Sequence, residues 1–292
     1  SFQKNKPKAL FYSVGNRDVF DTITSQLANK SNIPVIYFQH GGATIYFDCM
    51  YQKYVETDKK TKKILILNSS VENININHND SKSAALGSML RYEWINSHSR
   101  IKNKKNKIIY VSSAFSSDRF RQLENSHNSK EAYQISSDII NIVKNKNVNL
   151  DIKPHPSGYN NQIKYYKELL KIKNYKKARI IYGAKAEDII QKYGLIIIDS
   201  LASTVTSHLL SLKVPILLYV KDISLINKIV LKDIKKRCYL VSDYKMLKNV
   251  INKHVNGELP TKWSADIIDR YIYPLDKGNP GENISKYLRS LL

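Results

Sequence analysis

The stretch 148–219 restricts what this chain can fold into more than any other. It opens with an apolar run that stops at Lys153-Pro154-His155-Pro156-Ser157-Gly158. It closes with Leu195-Ile196-Ile197-Ile198-Asp199-Ser200, the segment Leu201-Ala202-Ser203-Thr204, a helical stretch, and the run Val214-Pro215-Ile216-Leu217-Leu218-Tyr219. Short unbroken apolar runs bounded by Gly, Pro and Ser read as strands buried on both faces of a parallel sheet. In such a sheet the polar residues just beyond the carboxyl ends of the strands form the ligand crevice. Ser200, Ser203 and Thr204 also stand where a helix begins. Free backbone N–H groups and the positive helix end suit that place to phosphate. The stretch therefore predicts a site for a nucleotide monophosphate or diphosphate donor.

The rest of the chain repeats the strand-then-helix alternation. Strands are expected at 9–14, 33–38, 63–68, 84–88, 107–111, 148–152, 178–182, 195–198, 214–219 and 239–241. Helices are expected at 18–30, 130–144, 164–172, 187–192, after 204, at 243–255 and in the tail at 284–292, while 46–53 is open between helix and loop. In 130–144 the apolar Ala132, Ile135, Ile139, Ile142 and Val143 share one face. The polar run at about 96–107 reads as a linker between domains. Alternation of this kind predicts an α/β chain of parallel sheets with helices on both faces.

Composition narrows the function classes. The 292 residues, 42% hydrophobic and 25% charged, suffice for one large or two ordinary α/β domains. No apolar run nears the ~20 residues that span a bilayer. Ser1-Phe2-Gln3-Lys4 lacks a signal-peptide core and an initiator Met, so we expect an upstream part of the protein to precede it. Cys49 and Cys238 lie far apart without metal-ligand spacing, which fits a reducing compartment. The net charge of +22 is large. Its lysines are scattered among Asn, Ile and Tyr, as an A/T-rich coding bias would leave them; only Lys102-Asn103-Lys104-Lys105-Asn106-Lys107 forms a block. Compositional drift is the first reading, an anionic membrane surface the second, and nucleic acid the last, because no nucleic-acid signature is present.

Candidate site residues follow from strand ends. The strand 33–38 runs into Gln39-His40-Gly41-Gly42. Gly41 and Gly42 let the backbone turn sharply and approach a ligand, and an imidazole such as that of His40 can accept or donate a proton in catalysis. Lys153 and His155, at the end of another strand, supply an ammonium and an imidazole suited to phosphate or carboxylate. Ser203 and Thr204 read equally as helix caps and as phosphate-binding residues, and both can hold because the two roles use the same free amides. Ser112, Ser113, Ser116 and Ser117 end a further strand and are candidates to line the phosphate site. Asp199 reads as a residue that orders its turn through hydrogen bonds. Asp48 and Glu56 are weaker candidates as catalytic carboxylates, and the remaining histidines read as structural. No Asp-x-Asp metal motif is present.

The ordered set of His40-Gly41, Gly87-Ser88, the basic linker, Lys153-Pro154-His155-Pro156 and Asp199-Ser200 with Ser203-Thr204 resembles the GT-B glycosyltransferase superfamily. More narrowly it resembles bacterial surface-polysaccharide transferases. These are the CDP-glycerol glycerophosphotransferases of teichoic acid synthesis and the CMP-Kdo and sialyl-type transferases of capsule and lipopolysaccharide. The resemblance implies two Rossmann-type domains. Residues 1–100 would be the C-terminal part of the acceptor-side domain, 101–275 the nucleotide-donor domain, and 276–292 a helix packing back on the first. It further implies that His155 contacts the donor phosphate or ribose, that Ser203, Thr204 and nearby Ser200 bind phosphate, and that His40 is the acceptor-side base.

By the same resemblance the donor is a sugar or glycerol phosphate on a nucleotide, expected to be cytidine, with no metal and no other cofactor. The acceptor would be a glycan or lipid-linked glycan at the cytoplasmic side of a bacterial inner membrane, with peripheral contact to anionic lipid. Two other classes stay open: a GT-B-like sugar-nucleotide 2-epimerase, which needs no acceptor, and a non-catalytic nucleotide- or glycan-binding module.

Overall fold

The computed structural model of the chain describes residues 7–12, 19–38, 64–67, 82–88, 92–93, 107–114, 128–156, 159–201, 204–272 and 278–291. Two compact units make up the chain: Ser1–Asn96 with Ala265–Leu292, and Ser97–Ser264. In the first, β1 (Leu10–Tyr12), β2 (Val35–Phe38), β3 (Ile64–Leu67) and β4 (Lys82–Ala85) form a sheet in that order, every pair parallel. Helix α1 (Val19–Lys30) connects β1 to β2, and Ala28 joins Ile33, Val35 and Tyr37 in a small core.

The second unit holds β5 (Lys107–Val111), β6 (Asn149–Lys153), β7 (Ala178–Ile180), β8 (Leu195–Ile198), β9 (Ile216–Tyr219) and β10 (Tyr239–Val241). Their spatial order is β10-β9-β8-β5-β6-β7, again all parallel. Counted within this unit, that is the doubly wound order, with the chain reversing its winding direction between its first and fourth strands. The switch point therefore falls between β5 and β8. All ten expected strands are present, each within a few residues of its expected limits.

Helices α2 (Ser129–Asn145), α3 (Tyr159–Lys173), α4 (Ala186–Ile189), α5 (Thr204–Ser211), α6 (Lys228–Arg237) and α7 (Tyr244–Val255) follow these strands in turn. The predicted inward face of α2 is buried against Ile108, Leu150, Ile152 and Ile197 of the sheet. Each such side chain contributes about 1.5–3 kcal/mol on burial. Local chemistry fixes where the helix starts. Asn128 Oδ1 accepts the Glu131 N–H at 2.9 Å, and Glu131 Oε2 accepts the Asn128 N–H at 3.2 Å, a reciprocal capping box. In a chain with only ten glycines, α1, α2 and α3 leave through left-handed asparagines, Asn32, Asn147 and Asn174.

Helices α6, α8 (Ala265–Tyr271) and α9 (Pro280–Leu291) complete the chain. The sequence reading assigns nothing to α6 or α8. Arg237, the last residue of α6, is fully buried and donates to the carbonyls of Leu210 (2.8 Å), Leu209 (3.2 Å), Val214 (3.1 Å), Lys262 (2.8 Å) and Leu212. It thereby satisfies carbonyls that α5 cannot pair within itself, where the negative end of the helix dipole favours a cation. Among the described residues no helix is long and apolar enough to cross a membrane.

Candidate phosphate site at the switch point

Beyond the carboxyl ends of β5, β6 and β7 lies a cavity of about 590 Å³. Its walls are Val111 and Ser112 from β5, Lys153-Pro154-His155-Pro156 from β6, Gly183 to Glu187 after β7, and Val205 of α5. This is the crevice expected of a doubly wound sheet, beside the strand that begins the reversal.

Asp199, at the end of β8, organises the floor. Its Oδ1 accepts the Ser113 N–H at 2.7 Å and its Oδ2 accepts the Tyr110 hydroxyl at 2.7 Å. These bonds reach across to β5, so they tie the end of β8 to the neighbouring strand end. Burial, then the Asp199 charge, push the Tyr110 phenol well above its usual range, so it stays a donor. Tyr166 meets Tyr110 edge-on, with ring centroids 6.3 Å apart, and is raised by burial and the Asp199 charge in the same way.

Ser112 and Ser113 are 2% and 7% exposed, and among the described residues neither hydroxyl has a hydrogen-bond partner. Ser112 Oγ stands near enough to the Tyr166 hydroxyl to moderate that phenol's pKa without closing a hydrogen bond to it. Its backbone N–H donates to the Lys153 carbonyl at 3.1 Å, extending the β5–β6 ladder to the cavity wall. A buried hydroxyl left without a partner costs about 1–3 kcal/mol, so the one at Ser112, on the cavity wall, marks a place suited to an incoming acceptor.

Lys153 is 4% exposed. Burial pulls its pKa below the ordinary lysine range, and the Glu187 carboxylate partly offsets that. His155 is half-buried between two prolines, its backbone N–H given to Gln162 Oε1 at 2.8 Å. Gly183 takes a left-handed backbone (φ +80°), and a side chain there would be strained whatever the space around it.

The structure thus brings Lys153, His155 and Ser112 to one cavity. Ser200 is buried at the neighbouring strand end, and its carbonyl accepts from Thr206 Oγ1 at 3.1 Å. Thr204 is the first residue of α5, the helix whose Val205 lines the cavity. Ser203, His40, Gly41 and Gly42 lie outside the described residues, as do Asp48, Glu56, Ser116 and Ser117. Among the described residues no group of His, Cys, Asp and Glu is placed to hold a metal.

Sequence reasoning missed Gln162, which touches both strand ends, and the loop of Gly183 and Glu187. It also missed a second buried cluster on β6. There Asp151 accepts from Arg179 Nε at 2.5 Å and Nη2 at 2.8 Å, from the Tyr193 hydroxyl at 2.6 Å, and from Lys107 at 3.5 Å. A carboxylate inside a strand has no sequence signal, because its partners come from β7, β5 and the turn before β8.

No protein-family profile matches this sequence, and no curated protein matches it significantly. Solved structures do match the fold. The UDP-GlcNAc 2-epimerase of Methanocaldococcus jannaschii, in complex with UDP-GlcNAc and UDP, is 18% identical with a TM-score of 0.58 over 99% of this chain and 77% of that one. The spinosyn rhamnosyltransferase SpnG is 13% identical with a TM-score of 0.53 over 99% and 74%. The UDP-N-acetylglucosamine 2-epimerase of Rickettsia bellii is 15% identical with a TM-score of 0.50 over 99% and 74%. The architecture shared with these proteins, two parallel-sheet α/β units in one chain, is the GT-B fold.

Proposed function

We propose that the chain is a nucleotide-sugar enzyme, a glycosyltransferase or glycerophosphotransferase that uses the cavity beyond β5, β6 and β7 to hold the phosphates of its donor. One observation carries the reading. A buried ammonium, an imidazole and the Ser112 hydroxyl, which has no hydrogen-bond partner among the described residues, line one cavity at the carboxyl ends of parallel strands. Phosphate oxygens would accept from all of them.

In transfer, the bond between the donor's reacting carbon or phosphorus and its leaving oxygen breaks. The electron pair stays on the nucleotide phosphate, and the acceptor oxygen makes the new bond. Lys153 and His155 would neutralise the charge on the departing nucleotide, with the N-terminal amides of α5 assisting. His40 is the proposed base that takes the acceptor proton. The acceptor we propose is a bacterial surface glycan. The family resemblance implies a cytidine donor, whereas the M. jannaschii epimerase structure is a complex with UDP-GlcNAc and UDP. Contact with anionic lipid at the cytoplasmic face of the inner membrane is part of the same proposal and draws on the +22 charge.

A panel of CMP, CDP, UDP, GDP and ADP in thermal shift tests the donor. A nucleotide at a hundredfold over its Kd stabilises by about 2.7 kcal/mol. No shift with any of the five removes the nucleotide reading. Replacing His155 by Ala then tests its role: unchanged affinity and transfer place it outside the site.

The fold likeness to two 2-epimerases favours one second reading, isomerisation of the donor sugar without an acceptor. Incubation with donor alone separates the two. An isomerised nucleotide sugar supports the epimerase, and product only when glycan is added supports the transferase.

A further inference from the structure

Gln162 belongs to none of the motifs from which the site was read, yet it joins two of them. It lies near the start of α3 and is 2% exposed. Its Oε1 accepts the His155 N–H at 2.8 Å, and its Nε2 donates to the Ser113 carbonyl at 3.1 Å. The Ser113 N–H is in turn held by Asp199 at 2.7 Å. Three hydrogen bonds in series, Asp199 to Ser113 to Gln162 to His155, fasten the ends of β8, β5 and β6 together. Pro154 and Pro156 have no N–H, so His155 offers the single backbone donor of that turn, and Gln162 takes it.

We infer that Gln162 is a positioning residue, whose neutral carboxamide sets the spacing between the Ser112 and Ser113 hydroxyls on one strand end and the His155 imidazole on the next. The inference rests on the reading of this cavity as the nucleotide-phosphate site. Chemistry explains the choice of an amide. Only a group with both a donor and an acceptor can bridge a carbonyl on β5 and an N–H on β6. A carboxylate would lose the bond to Ser113 and place a negative charge beside an anion site.

Two variants of the full chain test it. Gln162→Met keeps the shape and removes both bonds; Gln162→Glu keeps the acceptor and loses the donor while ionised. For whichever nucleotide of the panel the wild type binds, affinity falls roughly 10- to 100-fold in Gln162→Met, the scale of losing the two hydrogen bonds that hold the strand ends. In Gln162→Glu it falls at pH 8 and recovers as the pH is lowered and the buried carboxyl protonates, because the acid again donates to Ser113. The other titratable groups of this cluster, Lys153, His155, Asp199, Glu187, Tyr110 and Tyr166, are shared with the wild type, so the ratio of the two pH profiles isolates position 162. Wild-type affinity in both variants, or a Gln162→Glu profile parallel to the wild type, overturns the inference. If Gln162→Met does not fold, the Gln162→Glu profile decides.

A nucleotide-independent readout separates this inference from the reading beneath it. In ¹⁵N-histidine-labelled chain the His155 amide exchanges at least tenfold faster in Gln162→Glu at pH 8 than in the wild type. Loss of that protection together with a wild type that binds no nucleotide leaves the positioning role standing and removes only the nucleotide site. Unchanged exchange removes the positioning role, whatever the wild type binds.

Discussion

Asp151 and Lys153 stand two residues apart on β6, so they project from the same face of one strand. They are 3% and 4% exposed. Their surroundings treat charge in opposite ways. For Asp151, burial alone would raise the pKa. Hydrogen bonds from Arg179 and Tyr193 and the charges of Lys107 and Arg179 outweigh it and hold the carboxyl below its usual range. For Lys153, burial dominates, Glu187 offsets it only in part, and the ammonium is disfavoured. One buried charge is stabilised by the protein's own groups; the other costs the protein stability at the rim of a cavity. Functional sites concentrate charges of the second kind.

The largest expected effect breaks the first member of this pair. Asp151→Asn takes the charge from a cluster in which the Tyr193 hydroxyl is also buried. Because Arg179 is mostly solvent-exposed and can rehydrate, the loss is roughly 2–4 kcal/mol rather than the upper end for a buried pair. Urea unfolding measures it, and nucleotide affinity is expected to stay within about twofold, since the cluster does not line the cavity. An affinity loss as large as that from changing Lys153 would end the division between the two regions.

Lys153→Met carries the opposite signature. Nucleotide affinity falls about 100-fold, or roughly 2.7 kcal/mol at 1.36 kcal/mol per tenfold. The melting temperature holds or rises, because a charge that the apo protein disfavours is gone. A variant that loses binding and stability together would make Lys153 a structural residue.

The same contrast has a pH form. The folded pKa of Asp151 is depressed, so its contribution to stability is complete above the unfolded carboxylate range and is lost as pH falls through the lower folded value. Asp151→Asn is expected to flatten the acid limb of the stability curve. The folded pKa of Lys153 is also depressed. On the alkaline side the unfolded chain therefore binds the extra proton, and stability rises with pH between the two values. Bound phosphate favours the ammonium, so nucleotide affinity should decline as pH rises through the depressed pKa. Titration calorimetry in two buffers of different ionisation enthalpy reads the proton uptake. No uptake on the alkaline side would remove Lys153 from contact with the phosphate.

What could be read in advance divides along similar lines. The strands were legible because runs such as Leu195 to Ile198 have no alternative to burial on both faces. Ser112, Lys153 and His155 were legible because a polar residue directly after such a run has a fixed address in a parallel sheet. Helix α6 was not, since Lys228, Lys232, Lys235 and Lys236 crowd its sequence and Ile229 is exposed, which blurs the apolar period. Helix α8 spans seven residues, too few for a period to show. Gln162 and Asp151 were invisible for another reason. Asp151 acts through partners 28 to 44 residues away and Gln162 joins one partner 7 and another 49 residues away, and no local pattern distinguishes them from surface polar residues. Strand ends are a local property, whereas the bonds that hold one strand end to the next are tertiary.

The smallest expected effect sharpens the comparison most, because it separates cavity from core at one atom. Ser112 Oγ is buried and lacks a partner, a cost the apo protein carries without return. Ser112→Ala removes that atom and leaves the backbone bond to the Lys153 carbonyl in place. Stability should rise by up to about 1 kcal/mol, the gain from deleting an unsatisfied buried hydroxyl. Nucleotide affinity should fall about tenfold, since a hydrogen bond to a charged group contributes roughly 1.5–3 kcal/mol and part of that is recovered by solvent. The two changes have opposite signs, which ordinary packing damage cannot produce. A variant less stable than wild type with unaltered affinity would mean that Ser112 belongs with Asp151, as part of the scaffold, and the phosphate would then have to be held by Lys153, His155 and the amides of α5.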